Sequence, residues 1–162
     1  MHPSTRSSVL LFALTFTLVF YGMGAAFVEG FVNYPTWPLV GAGEFREFHR
    51  VVGVLIVRFM VVPMLVTTAL TMLLVWLRPA PIPRWAVLLS VLLQLGTWVS
   101  TVSVQLPIQF ELGTGGLSLV LIERLMTTNW WFRRVPHLFN AALFLWMMLQ
   151  MLRGHYRRSA DV

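Results

Sequence analysis

Hydropathy along this chain rises and falls four times. Apolar residues dominate at about 9–27, 51–77, 85–106 and 136–152, with polar stretches between them. Each run is near the ~20 residues a helix needs to cross a hydrocarbon core. The pattern predicts an all-α fold, an integral membrane bundle of four antiparallel transmembrane helices. The last run is the shortest, at about 17 residues, so its ends must snorkel or the bilayer must thin. Pro63 falls inside the second run and predicts a kink there.

The connections carry their own signals. Arg78-Pro-Ala-Pro-Ile-Pro-Arg84 is short, stiff and basic. The link from Glu29 to Arg50 is longer and holds Tyr34, Pro35, Trp37 and Pro38. After the Gly113-Thr-Gly-Gly116 turn, Leu117, Leu121, Leu125 and Thr128 recur at helical spacing in a segment too polar to span. That predicts an additional interfacial helix at about 117–131. No internal repeat is visible, and residues 1–162 read as one membrane domain.

Composition agrees with the pattern. Hydrophobic residues make up 57% of the 162 and charged residues 11%, well under the roughly 25% of soluble domains. Without a single Cys, disulfides, thiolate metal sites and thiol redox chemistry are excluded. The formal net charge is +6, yet the basic residues form no continuous face, which argues against a nucleic-acid partner. Every one of them is Arg, as expected of a GC-rich bacterial genome. Arg6, Arg78, Arg84, Arg153, Arg157 and Arg158 fall on one side of a four-span chain. The positive-inside rule then predicts an inner-membrane protein with both termini cytoplasmic. Five Arg on the other side, at 46, 50, 124, 133 and 134, call for partners among Glu29, Glu44, Glu47, Glu111 and Glu123. Arg6, the first apolar run and Gly24-Ala25-Ala26 look like a signal peptide, but the run continues past the small residues, so an uncleaved helix is expected.

Several groups carry candidate chemistry. Arg58 lies within the second run, where a guanidinium needs a partner or water; Gln94, Thr101 or Asn140 are expected to supply one. Gln94, Thr101 and Gln105 fall within about 20° on a helical wheel. Such a stripe faces other helices or lines an outward-opening cavity. His49 and His137 each precede an apolar run at its outer end, so equal depth is expected. They are the candidate bases. Two His on different helices could ligate a b-type haem axially, or join Glu44, Glu47 or Glu123 around a non-haem metal; neither signal is specific and no cofactor is favoured. Asn129 and Arg133 stand beside Trp130 and Trp131, an interfacial aromatic pair. With Phe31, Tyr34 and Trp37 these form the expected roof of a pocket for an aromatic or quinone-like molecule, and Arg133 and Arg134 suit lipid phosphate.

The stretches Gln105-Leu-Pro-Ile-Gln-Phe-Glu-Leu112 and Ile122-Glu-Arg-Leu-Met-Thr-Thr-Asn-Trp130, with Arg133 and Arg134 after them, resemble the second half of small four-helix membrane proteins in the anthrone-oxygenase-like superfamily. The match rests on Pro107, Ile108, Leu112, Asn129 and Arg133 or Arg134. The resemblance implies oxidation of an activated carbon by O₂ without a metal. His49 or His137 would then be the base, and Arg58, Arg133 or Asn129 would hold the enolate oxygen. Three functions compete at this point: an oxygenase- or oxidoreductase-like enzyme acting on a lipophilic aromatic, a non-catalytic subunit or binding module packed against a larger partner or a second copy, and a small-solute carrier component. The expected partners are the lipid bilayer and a lipophilic small molecule.

Overall fold

The computed structural model describes residues 6–160, the last six as backbone only. Arg157 and Arg158, used above to orient the chain, lie outside the residues whose side chains are described. Four long helices fill the structure: α1 (Arg6–Leu39), α2 (Phe45–Leu77), α3 (Arg84–Gly115) and α4 (Leu119–Gly154, its backbone continuing to Ala160). All four are long and apolar enough to cross a membrane, which marks a membrane protein. Each packs against its chain neighbours, and α4 closes the ring on α1. The bundle is therefore antiparallel, with the termini and the Pro-rich loop at one end (the basal end) and the other two loops at the distal end.

The helices are longer than the apolar runs. α1 continues through Glu29 and Asn33 to Leu39, and α2 begins at Phe45. The link from 29 to 50 thus shrinks to five residues, 40–44. No separate interfacial helix forms. Ser118 caps a helix at Leu119, its Oγ accepting from the Leu121 N–H, and nothing ends that helix before the basal end. The expected segment at 117–131 is the distal third of α4. Gly116, at φ 91°, makes the turn from α3, since only glycine adopts that backbone cheaply.

Each helix contains one π turn, at Glu29–Asn33, Val57–Val61, Thr101–Gln105 and Trp130–Arg134. Two residues after each comes a proline: Pro35, Pro63, Pro107 and Pro136. The coincidence has a cause. Proline has no N–H and its ring crowds the carbonyl four residues back, so the preceding turn widens instead of breaking. Pro63 leaves the Phe59 carbonyl without its helical donor, and the Tyr21 hydroxyl on α1 donates to it at 2.7 Å.

Two apolar clusters bracket a polar middle. The basal one holds Phe12, Val19, Leu74, Val87, Phe144 and Met147. The distal one holds Tyr34, Trp37, Phe45, Ile108, Leu112, Ile122 and Leu125. Exposed Trp76 and Trp85, with Trp146 5.3 Å from Trp85, form a basal aromatic belt. Trp130, Trp131 and Phe31 form a distal one.

Arg58 is placed differently from expectation. Its side chain is exposed on the outside of α2, over the Phe59 ring at 5.4 Å. Because α2 starts well before the apolar run, Arg58 is not at mid-depth. It lies about 20 residues from Arg78, roughly 30 Å at 1.5 Å per residue, near the distal edge of a hydrocarbon core. From there a guanidinium reaches the headgroups without an interior partner.

Candidate binding site

The polar middle has two tiers. In the lower tier the Gln94 amide donates to Thr71 Oγ1 at 2.9 Å and to Ser90 Oγ at 3.2 Å. Ser90 donates in turn to Asn140 Oδ1 at 2.6 Å, and Trp98 Nε1 donates to Thr68 Oγ1 at 3.1 Å. Three helices are tied together by these bonds. The expected stripe on α3 does face inward: Gln94 and Gln105 are buried and Thr101 is half-buried, its hydroxyl returning to the Thr97 carbonyl. Beside the network lies a small void lined by Thr67, Thr68, Gln94, Trp98, His137 and Asn140. The centre of a water-sized sphere can explore about 20 Å³ of it, room for a water and not for an aromatic ring.

The upper tier is charged. Glu29 is 2% exposed; its Oε2 accepts from Asn33 at 2.6 Å, and Arg133 and the Tyr34 hydroxyl face it. Tyr34 also faces Arg133 and accepts from Gln109 at 3.4 Å. Gln109 Oε1 meets His49 Nε2 at 2.8 Å. His49, Gln109, Tyr34, Glu29 and Arg133 form a chain leading inward from the distal end. Gln105 bonds Thr128 at 2.9 Å. Among the described residues, Glu29 Oε1, Gln105 Oε1, Asn129 Nδ2, Arg133 Nε and His137 Nε2 are buried without a protein partner.

Arg134 turns the other way. Its guanidinium lies over the Phe31 ring at 4.2 Å and the Trp130 ring at 5.4 Å. It also presses on the α1 backbone at Gly30, where any Cβ would overlap its Nη2, Cζ and Nε atoms. No hydrogen bond or ion pair to Arg134 is found among the described residues, and its buried Nε has no partner. This guanidinium helps line an open groove between the distal parts of α1 and α4. Gly30, Phe31, Pro35, Met126, Thr127, Trp130 and Trp131 complete the wall. By the same measure the groove holds about 390 Å³, the scale of a small-molecule site.

The histidines do not share a level. His49 is joined to Gln109, and Gln105 to Thr128, which sets His49 opposite about residue 124 of α4. His137 is some 13 residues away, about 20 Å along the axis. A haem held by both is geometrically excluded. Glu47 pairs with Arg50 on the outside of α2 at 2.6 Å, and Glu44 and Glu123 are exposed. Among the described residues no three of His, Cys, Asp and Glu come together as a metal site. The structure thus gathers Gln94, Asn140 and His137 in one tier, places Gln105, Asn129 and Arg133 in the layer above, and leaves Arg58 outside. Sequence reasoning named Glu29 only as one of five possible partners for the distal arginines and passed over Gly30. Glu29 is an acid at the end of an apolar run, and a charge whose helix continues past it is the signal that was available. Gly30 shows no sequence signal of its own.

No protein-family model, curated protein or solved structure matches this chain.

Proposed function

We propose that this chain is a membrane binding protein for a lipophilic molecule whose head carries an anionic or carbonyl oxygen, seated in the groove between α1 and α4. One observation carries the reading. Arg134, a residue 4% exposed and without an acidic partner among the described residues, lines an aromatic groove of ligand size. A buried charge normally has a partner, and here the open side of the groove is where an oxygen acceptor can come from. Phe31, Trp130 and Trp131 supply flat apolar contact beside the charge.

Other readings draw less support. The resemblance to anthrone oxygenases would set an aromatic substrate beside a base and an oxyanion holder. His137 and Arg133 have that relation, but the void at His137 admits water rather than a ring system. Conduction is opposed by the basal cluster, where Phe12, Leu74, Phe144 and Met147 are 0–1% exposed and plug the bundle.

Menadione and laurate, a carbonyl and an anionic probe, test the reading in nanodiscs. Menadione quenches tryptophan, so a site at Trp130 and Trp131 gives saturable quenching that laurate reverses. Arg134→Gln is expected to weaken both probes about tenfold, the worth of one charge-assisted hydrogen bond. Quenching that rises linearly, and equally in wild type and Arg134→Gln, would mean simple partitioning and would refute the proposal.

A further inference from the structure

We infer that the natural occupant of the groove is a membrane phospholipid, held by its phosphate on Arg134, with an anionic headgroup preferred. The inference rests on the binding reading above and names its ligand class.

Height is the first argument. Arg134 lies about 19 residues from Arg153, roughly 28 Å along α4, and next to the distal belt of Trp130 and Trp131. That is where a bilayer presents its phosphates. Geometry is the second. A guanidinium is a planar fork that matches two oxygens of one phosphate, whereas a single quinone carbonyl uses only part of it. The fork is already immobilised by the Phe31 and Trp130 rings and by the missing Cβ of Gly30, so little rotamer freedom remains to be lost on binding. Charge is the third. Arg133, the next residue, has Glu29 and Tyr34 facing it, while among the described residues Arg134 has the Tyr34 oxygen and two rings nearby and no acid. One positive charge in the groove is left over. Choline would bring a second cation to it; a glycerol headgroup would not. The exposed faces of Phe31 and Trp131, at 54% and 62%, offer apolar surface for the glycerol backbone and upper acyl chains.

Native mass spectrometry of the full-length protein, delipidated in detergent and titrated with dioleoylphosphatidylglycerol or dioleoylphosphatidylcholine, tests this. Wild type is expected to retain one phosphatidylglycerol more tightly than phosphatidylcholine. Arg134→Gln should weaken retention about tenfold and Trp131→Ala several-fold, while Arg58→Gln, which removes the exposed guanidinium on α2, should change nothing. If Arg134→Gln fails to fold, Arg134→Lys keeps the charge, loses the fork and should still weaken binding, and the exposed Trp131→Ala reports independently. Equal loss in Arg134→Gln and Arg58→Gln would show unspecific charge attraction and overturn the inference. Displacement of the lipid by 10 mM inorganic phosphate would overturn it too, by showing a site for free anions. Saturable menadione binding with no phosphatidylglycerol retained would sink the lipid assignment alone; absence of both would sink the binding reading with it.

Discussion

Replacing Gly30 with alanine should change the sign of its effect according to what stands at position 134. In wild type the new Cβ would occupy the space of the Arg134 guanidinium, which must retreat by an ångström or more to reach ordinary contact. That retreat disturbs its stacking on Phe31, at 4.2 Å, and on Trp130, at 5.4 Å. A desolvated cation–π contact is worth up to about 2 kcal/mol. Against this, alanine is favoured over glycine in a helix by about 1 kcal/mol. Gly30→Ala is therefore expected to destabilise wild type by about 1 kcal/mol. In an Arg134→Ala background the three atoms nearest that Cβ are gone, and the same change should stabilise by roughly 0.5–1 kcal/mol. The coupling, about 2 kcal/mol, is within the range found for residues in direct contact. Reversible unfolding in mixed micelles, followed by circular dichroism over all four members of the cycle, measures it. If Gly30→Ala has the same sign and size in both backgrounds, the guanidinium does not rest on Gly30, and the floor of the groove is wrongly assigned.

Three further outcomes can be checked in the same assay. Tyr21→Phe removes the donor to the Phe59 carbonyl and should cost about 0.6–1.7 kcal/mol; in a Pro63→Ala background, where a backbone N–H returns, the cost should largely vanish. Arg58→Leu should fold normally and shift stability by no more than about 0.5 kcal/mol, because the side chain is exposed; a loss of several kcal/mol would restore an interior role. Glu29→Gln removes the carboxylate that faces the buried Arg133 without a direct ion pair and should destabilise by about 1 kcal/mol, and a neutral result would mean that the two side chains do not feel one another.

The four spans were legible because lipid-facing helices need apolar residues in bulk, and Leu, Val and Phe dominate their exposed faces. The inward stripe of Gln94 and Gln105 was legible for the complementary reason, since lipid cannot satisfy amides. The helix ends were not. Glu29, Asn33, Glu44 and Glu47 lower the hydropathy while the backbone continues helical or begins its next helix, because in headgroups and water a helix tolerates charge. The misjudged start of α2 is what put Arg58 at false depth. His49 and His137 erred likewise: both precede an apolar run, but α4 begins at Leu119, so His137 is deep while His49 is near the tip.

The recurrence of proline behind every π turn has a mechanical consequence. Where a helix loses its regular ladder it bends most easily, and all four spans carry that weak joint between a firm basal half and a firm distal tip. Flexure of the molecule should gather in this band, with amides of residues 29–33, 57–61, 101–105 and 130–134 exchanging ahead of those on either side. Because Arg134 and Gly30 both lie within the band, any swing of the tips widens or narrows the cleft they floor.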